Sequence, residues 1–253
     1  MIFTDAPKFV VNLERRKDRL ESIKKEMDYI GWQYEYFQAV DTNSHVGCTK
    51  SHLEIIKLAK ERNYEKVLVV EDDCTIMPYA KSFIEQCEKN SDGIEFAIIN
   101  LAPTLNRPVN VSQKFPWFLD ITNLPPKEEH HRGIFATNII MYHHTIYDKV
   151  LEMEQESNMR FFAIDDFIYQ FITSVKESYA PILPIAPQRR DWSDVSPGEY
   201  NNFYAQTYNW NLYSDCKIPR EFMEYKDNME TKNKQTLILF LLNITTENMC
   251  SFY

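Results

Sequence analysis

Hydrophobic positions along this chain form short continuous runs separated by segments with helical spacing. Residues 67–70 are an aliphatic run without a polar interruption, which predicts a strand buried on both faces, as in the centre of a parallel sheet. Further strands are predicted at 8–13, 33–40, 94–101 and 133–142, and helices after residues 14, 51 and 164 and over 80–88 and 145–156. The alternation of strands and helices predicts an α/β fold.

Three acids, Glu71, Asp72 and Asp73, follow the aliphatic run directly. Because burying three neighbouring carboxylates is costly, we expect them at the carboxyl end of the strand, where open α/β sheets bind ligands. Carboxylate oxygens on a rigid edge suit a hard divalent ion such as Mg²⁺ or Mn²⁺, often shared with phosphate oxygens. The alternative is an acidic turn without a ligand.

Four cations, Arg15, Arg16, Lys17 and Arg19, lie where the first strand gives way to a helix. Backbone N–H groups and the helix dipole favour anions at such a junction, so a diphosphate could bind there. The alternative is a solvated helix face.

The second helix is expected to begin at Ser51, which forms a capping box with Glu54. Lys50 and His52 would then lie at its first turn, within reach of a phosphate, although an isolated histidine there is more often a surface residue. Asp165 and Asp166 open a later apolar helical pattern. They are explained equally well as N-terminal acids of a helix or as a general base facing a site.

Composition narrows the function classes. The chain has 253 residues, 44% of them hydrophobic, and a formal net charge of −9, which indicates a soluble globular protein and argues against a nonspecific nucleic-acid partner. The five glycines are not clustered, which argues against a P-loop or a dinucleotide site. The five cysteines show no paired spacing, so neither disulfides nor a zinc site is indicated.

No signal peptide or membrane-spanning apolar run is recognisable, which predicts a cytoplasmic setting, or the host cytoplasm for a viral protein. From about residue 197 the chain becomes rich in tyrosine, asparagine and glutamine. We therefore expect a catalytic domain over 1–196 and a C-terminal extension over 197–253 that packs on it.

Four segments together resemble glycosyltransferase family 25, which includes bacterial lipooligosaccharide and collagen galactosyltransferases. Residues 11–19 resemble the family's opening V-I-N-L-x-R-R-x-D-R, and residues 47–52 match G-x-x-x-S-H. Residues 70–73 match L-E-D-D, a form of the D-x-D metal motif, and residues 164–168 are similar to V-D-x-F-L. Residues 188–194 are a weaker match to a terminal segment, and residues 133–138 depart from the expected G-T-x-G-Y.

The resemblance implies a GT-A-like fold with a mostly parallel sheet and a metal-dependent inverting transfer of a hexose, commonly galactose, from a UDP-sugar. It implies Mn²⁺ (or Mg²⁺) held by Asp73 with Glu71, and by Asp191 or Asp194 from the C-terminal side. Asp165 is the implied base and Asp166 the second choice. The donor contacts implied are Asn12, Leu13, Arg15, Arg16, Arg19, Lys50, His52, Glu71 and Asp72.

The expected partners are a UDP-sugar donor and a glycan or glycoconjugate acceptor, with no nucleic acid and no membrane span. Two other functions fit the same residues. One is a glycosyltransferase-like module that binds a nucleotide or a glycan without turnover. The other is a sugar nucleotidyltransferase, which the lack of a glycine-rich phosphate loop disfavours.

Overall fold

The computed structural model describes residues 1–42, 44–105, 109–115, 117–122, 134–154, 163–173 and 176–189, and the short strands at 191–192 and 199–200. The strands are β1 Lys8–Asn12, β2 Glu35–Gln38, β3 Lys66–Glu71, β4 Ile98–Asn100, β5 Thr104–Leu105, β6 Phe118–Asp120, β7 Ile134–Phe135, β8 Ile139–His143, β9 Ser178–Pro181, β10 Asp191–Trp192 and β11 Glu199–Tyr200. The helices are α1 Lys17–Ile30, α2 His45–Glu61, α3 Ala80–Lys89, α4 Tyr147–Leu151 and α5 Ile164–Phe167. Single 3₁₀ turns flank α4 at His144–Ile146 and Glu152–Glu154, and a π-helical turn, Ile168–Ile172, extends α5.

A seven-stranded sheet in the order β2-β1-β3-β8-β4-β9-β6 forms the centre of the molecule. Strands β2, β1, β3, β4 and β9 share one direction, whereas β8 and β6 run the opposite way. The predicted fold class, α/β with a mostly parallel central sheet, is confirmed. One detail differs from the expected central parallel strand: β3 pairs in parallel with β1 but antiparallel with β8.

The aliphatic run of β3 lies in the core as predicted, since Val67, Leu68, Val69 and Val70 are all 0% exposed. Continuous apolar sequence is what a strand needs when both of its faces are covered. Helix α1 packs a buried stripe onto the sheet and ends at Gly31, whose φ of 77° is the left-handed conformation that glycine adopts without strain. These elements fix the carboxyl end of β3 against the start of α1.

Helix α2 begins six residues earlier than the sequence analysis predicted. The helix begins at His45, and the Ser44 hydroxyl is its cap, accepting a hydrogen bond from Val46 N. Ser51 lies inside the helix, where its hydroxyl donates to Gly47 O at 2.8 Å and accepts from Val40 N at 2.9 Å. The predicted capping box was wrong because the regular apolar spacing begins only at Leu53, about two turns after the helix starts.

The predicted strand over 133–142 is also corrected. It is divided into β7 and β8, and Ala136 between them has a φ of 75°. A left-handed alanine cannot continue a strand, so the chain turns there. The predicted strand over 94–101 is shorter than expected, being confined to Ile98–Asn100.

Strand β10 pairs antiparallel with β11, and the pair spans the predicted boundary between residues 196 and 197. Apart from β11, the C-terminal extension lies outside the described residues, and the division into 1–196 and 197–253 stays a prediction. Among the helices described, none has the length and apolar character needed to cross a membrane.

Candidate functional site

The acids that follow β3 occupy the strand's carboxyl end, as predicted, and two of them are buried. Asp72 and Asp73 are each 7% exposed. Strands β1 and β3 run side by side with Val11 opposite Glu71, which brings Asn12 next to the acids. Asn12 Nδ2 donates to Asp72 Oδ2 at 2.6 Å. The end of β1 therefore holds one carboxylate in place.

The Arg19 guanidinium balances the charge of these acids from α1. Arg19 is 7% exposed, and its Nη1 lies 3.1 Å from Asp72 Oδ1 and 3.5 Å from Asp73 Oδ2. Burial lowers the pKa of Arg19, but the charges of Asp73 and Asp72 outweigh it and the net pKa is raised. Arg19 thus stabilises the acids themselves, because buried charges require a partner.

Asp73 is the most constrained of the acids. Its Oδ2 accepts from Gln188 Nε2 at 3.0 Å, and its backbone oxygen accepts from Arg189 N. Its Oδ1 is buried and has no hydrogen-bond partner among the described residues. Burial, with the charges of Glu71 and Asp72, raises the pKa of Asp73 to about 7. Burial also raises the pKa of Asp72, although Arg19 and Asn12 oppose the shift.

The buried oxygens fit the divalent ion that the resemblance implies. A buried carboxylate oxygen without a partner is costly, and a hard cation would satisfy it. Asn12 Oδ1 is a second buried oxygen without a partner in the described part of the chain. The C-terminal segment does reach Asp73, through Gln188 and Arg189. The side chains of Asp191 and Asp194, the predicted ligands from that segment, lie outside the described residues.

Glu71 has different partners from the two aspartates. Its Oε1 lies 3.3 Å from His52 Nε2, 3.4 Å from Thr137 Oγ1 and 3.7 Å from Cys48 Sγ. Burial raises the pKa of Glu71, but its bonds with His52, Cys48 and Thr137 outweigh burial and lower the net value. Glu71 is thus held as a carboxylate in a polar cluster between α2 and β8.

His52 is not the surface residue that its position in the sequence suggested. It is 0% exposed, and its Nδ1 lies 2.8 Å from the Tyr142 hydroxyl. It also lies in the second turn of α2, so the expected position of Lys50 and His52 at the helix start was wrong. Lys50 is half-buried on the same helix, and no hydrogen bond of the described residues joins it to the acids.

Asp165 lies at the same edge of the sheet, where it is hydrogen-bonded to the turn at Ala136. Its Oδ2 accepts from Ala136 N at 3.0 Å, and its Oδ1 accepts from Asp166 N at 2.9 Å. The next residue along the turn, Thr137, bonds to Glu71. The structure therefore brings Asp165 and the acids after β3 into one region.

The Ala136 turn is fixed by side chains from two other elements. Ala136 O accepts from Asn100 Nδ2 at 2.6 Å and from the Tyr169 hydroxyl at 3.4 Å. Its left-handed φ is unfavourable for alanine, so these bonds help to maintain it. Asn100 and Tyr169 thereby position the Ala136 N–H that holds Asp165.

Two of the other predicted cations, Arg15 and Arg16, lie near the end of β1. Arg15 forms an ion pair with Asp41 beside a groove of about 370 Å³ that also borders Glu14, Lys17, Gln38 and Ala39. Arg16 pairs with Asp18 at 2.9 Å, and its backbone N–H donates to Leu13 O at 2.8 Å. These residues flank the end of β1.

Sequence reasoning missed Cys48, Asn100, Thr137, Tyr142, Gln188 and Arg189. Gln188 and Arg189 carried a signal as the start of segment 188–194, which weakly matches the family. Cys48 carried one because it precedes His52 by four residues and so shares a helix face with it. That relation was hidden when the helix was placed from residue 51 onwards. The other residues act across strands or loops, where spacing along the chain carries no information.

The fold and the site define an α/β protein with a buried carboxylate site at the carboxyl end of its central strands. By sequence, the model of "Glycosyltransferase family 25 (LPS biosynthesis protein)" matches residues 42–138. This match confirms, over that part of the chain, the resemblance expected from the motifs. The matched range contains the G-x-x-x-S-H and L-E-D-D segments but neither the opening motif nor Asp165.

Two curated relatives are similar over part of the chain. A "Glycosyltransferase 25 family member" of Aedes aegypti is 29% identical over 107 residues, which is 31% of this chain and 18% of the relative. A protein of the same description from Drosophila melanogaster is 28% identical over 100 residues, which is 28% of this chain and 16% of the relative. The matches thus span less than a fifth of the length of either relative.

Solved structures are similar only at a low level. A glycosyltransferase involved in the glycosylation of the major capsid of PBCV-1 has a TM-score of 0.39 and 12% identity, covering 66% of this chain and 76% of that one. The inositol-1-phosphate CTP transferase from T. maritima has a TM-score of 0.38 and 16% identity, covering 69% of this chain and 65% of that one. Likeness of this degree carries no information on function.

Proposed function

We propose that this protein is a metal-dependent inverting glycosyltransferase that moves a hexose, with galactose the first candidate, from a UDP-sugar to a hydroxyl of a glycan or glycoconjugate acceptor. The observation that carries the proposal is the buried oxygen of Asp73, which lacks a partner among the described residues beside an otherwise paired acid cluster. The match of residues 42–138 to the family 25 model supports the reaction class.

In this proposal Asp73 is the principal ligand of Mn²⁺ (or Mg²⁺), with Glu71 and with Asp191 or Asp194 as further ligands. When bound, the ion would neutralise negative charge on the leaving diphosphate. Arg19 holds the two aspartates in position and opposes the rise of their pKa values, since it contacts both. Asn12 orients Asp72, which is then available to a donor hydroxyl.

The outer part of the donor would lie along the end of β1. Arg15 and Arg16 border that edge with Leu13, and Arg15 lines the groove beside Asp41. Lys50 supplies a further cation from α2. The His52 ring is buried and bonded to Glu71, so we assign it to orienting that carboxylate rather than to direct contact with phosphate.

Inverting transfer needs a base on the face of the sugar opposite the leaving group. Asp165 is the proposed base, and Asp166 is the second choice. The Ala136 N–H binds one oxygen of Asp165 and the Asp166 N–H binds the other, so the carboxylate is oriented from two sides. It would accept the proton of the acceptor hydroxyl as that oxygen attacks the anomeric carbon.

The decisive experiment measures UDP release from a panel of UDP-sugars, with and without Mn²⁺, by the wild type and by Asp73→Asn. We expect slow release from one sugar that requires both the metal and Asp73. Asp28→Asn is the matched control, because Asp28 is an exposed acid on α1. If no UDP-sugar binds even with Mn²⁺, the proposal is wrong. Metal-dependent binding without turnover for any acceptor would favour the non-catalytic binding module.

A further inference from the structure

The geometry points to a second metal site, for a thiophilic divalent ion such as Zn²⁺, formed by Cys48, His52 and Glu71. We name these residues the thiol cluster. One ligand atom from each residue lies within 4.8 Å of the other two. This site shares Glu71 with the one proposed at Asp73, but it adds a sulfur and a nitrogen ligand where that site offers oxygen atoms only. It does not rest on the proposed function, because ion binding can be measured without any transfer reaction.

Two of the three spacings between ligand atoms are close to those around a tetrahedral ion. With Zn–N and Zn–O distances of about 2.0–2.2 Å and a Zn–S distance of about 2.3 Å, neighbouring ligand atoms lie about 3.3–3.6 Å apart. Here His52 Nε2 lies 3.3 Å from Glu71 Oε1, and Cys48 Sγ lies 3.7 Å from the same oxygen. All three ligand atoms lie within 4.8 Å of one another, so a side-chain shift of about 1 Å would complete the tetrahedral spacing.

The fold fixes these positions. Cys48 and His52 are four residues apart on α2, so they face the same side of the helix, one turn above the other. Glu71 is the last residue of β3, which packs beside α2. His52 is fully buried and cannot move far from its place. Three ligands are thus held by two regular elements rather than by loops.

A second layer of hydrogen bonds supports the ligands. Protein-bound metals usually require the other nitrogen of a ligating histidine to be bonded, which fixes the ring and its tautomer. The Tyr142 hydroxyl lies 2.8 Å from His52 Nδ1, and a hydroxyl can accept as well as donate, so Nε2 can be left free for the ion. Thr137 Oγ1, 3.4 Å from Glu71 Oε1, supports the carboxylate in the same way.

The charges balance when the ion binds. Without it, the Cys48 S–H donates to Glu71 Oε1. Binding of Zn²⁺ forms a Zn–S bond and releases the thiol proton to solvent. The thiolate and the Glu71 carboxylate together neutralise the two positive charges, and the imidazole is neutral. A thiolate and an imidazole select Zn²⁺ over Mn²⁺ or Mg²⁺.

The test is a titration of the full chain with Co²⁺, whose bond to a thiolate gives a charge-transfer absorption in the near ultraviolet. We expect one equivalent of this band per chain, and we expect Zn²⁺ to displace it. Cys48→Ser should abolish the band or weaken binding more than about tenfold. Cys87→Ser is the matched control, since Cys87 is a buried thiol of α3 whose sulfur faces Trp117 O; it should retain the band.

A second measurement keeps the proposal testable if Cys48→Ser fails to fold. Zn²⁺, but not Mg²⁺, should protect Cys48 of the wild type from alkylation, read by mass spectrometry of its peptide. Absence of the thiolate band in the wild type would overturn the proposal. So would a band that persists in folded Cys48→Ser, because the thiolate would then belong to another cysteine. Unchanged alkylation of Cys48 with Zn²⁺ present would contradict it independently.

Discussion

At the scale of single residues, the site is a set of buried charges that are only partly balanced. Arg19 contributes one positive charge to Asp72 and Asp73, while Glu71 is bonded to neutral groups or to His52. The charge of Arg19 is thus shared by two of the three carboxylates. Burial of such neighbouring acids is unfavourable, and it raises the pKa of Asp73 to about 7. The divalent ion that we propose at Asp73 would lower this cost.

We predict that Asp165→Asn binds UDP as the wild type does but transfers sugar about 10²–10⁴-fold more slowly, the usual contribution of a general base. Asparagine keeps an oxygen for the Ala136 N–H, so the turn should survive the change. Calorimetric UDP binding and the initial rate of transfer give the two quantities.

Asp166→Asn serves as the comparison, because the two acids are adjacent and equally conservative to replace. If Asp166→Asn rather than Asp165→Asn loses transfer, the base is Asp166. Full transfer in both variants would remove this pair from the mechanism.

Lys8 gives a prediction about pH that is independent of the site. Its ammonium is buried, donates to Thr4 O at 2.9 Å and Ala6 O at 2.8 Å, and has a pKa that burial lowers from 10.5 to about 8. Between these values the unfolded chain binds a proton that the native protein does not, so raising the pH favours the native state. Below pH 8 Lys8 is charged in both states, so the native state carries the full free-energy cost of burying the ammonium.

The free energy of unfolding of the wild type, relative to Lys8→Met, should therefore increase by up to about 3 kcal/mol between pH 8 and pH 10.5. Urea unfolding at several pH values measures the difference. Lys24→Met, which replaces an exposed lysine of α1, should show no such trend. A flat pH profile for Lys8→Met relative to the wild type would mean that the ammonium is not desolvated.

At the scale of elements, helix α2 shows which parts of the fold a sequence can predict. Its buried half was evident because Leu53, Ile56 and Ala59 repeat at helical spacing. Its first turns were not, because they carry polar and small residues whose contacts lie across the chain. Ser51, for example, bonds to Val40 N, eleven residues earlier, and no local pattern reports such a bond.

Gly47 lies at a point of α2 where there is no room for a side chain. An added Cβ would lie 2.4 Å from Val40 O and 2.8 Å from Thr42 Oγ1. We predict that Gly47→Ala destabilises the protein by about 1–3 kcal/mol, as overpacking does, although the same change in an open helix would stabilise it by about 1 kcal/mol. Thermal melts followed by circular dichroism measure the effect.

Adding Thr42→Ala to Gly47→Ala identifies the contact responsible. Because the nearest obstacle is the backbone oxygen of Val40, the second change should restore little stability. A full recovery would place the strain at the Thr42 side chain, and an unchanged melting temperature for Gly47→Ala alone would contradict the close approach.

Long-range contacts also explain why part of the candidate site could not be predicted from the sequence. The acids after β3 were found because an apolar run followed by three carboxylates is a local pattern. The Ala136 turn was not, because its role depends on Asn100, Tyr169 and Asp165, which come from three separate segments. The break in the predicted strand over 133–142 is therefore part of the candidate site.

At the scale of the whole molecule, the predicted domain boundary after residue 196 falls between the paired strands β10 and β11. Because β11 lies beyond that residue, a domain ending there would lose the partner of β10. We predict that a chain ending at residue 202 keeps the melting temperature and the UDP affinity of the full chain. A chain ending at residue 196 should melt lower.

Circular dichroism melts and UDP titrations of the three chains make this comparison. If the chain ending at residue 202 fails to fold, residues 203–253 are part of the core domain, and the proposed extension is wrong.

Strand β8 has a further consequence for how the chain acquires its structure. It is the only link in the seven-stranded sheet between β2-β1-β3 on one side and β4-β9-β6 on the other. On a ribosome, the first group would emerge long before residues 139–143 and would wait with one flank of β3 open. Insertion of β8 covers that flank and, through the residues just before it, brings Thr137 to Glu71. Asp165 follows β8 in the chain, so it can bond to the Ala136 turn only afterwards. Pairing of β3 with β8 therefore has to come before the site is complete.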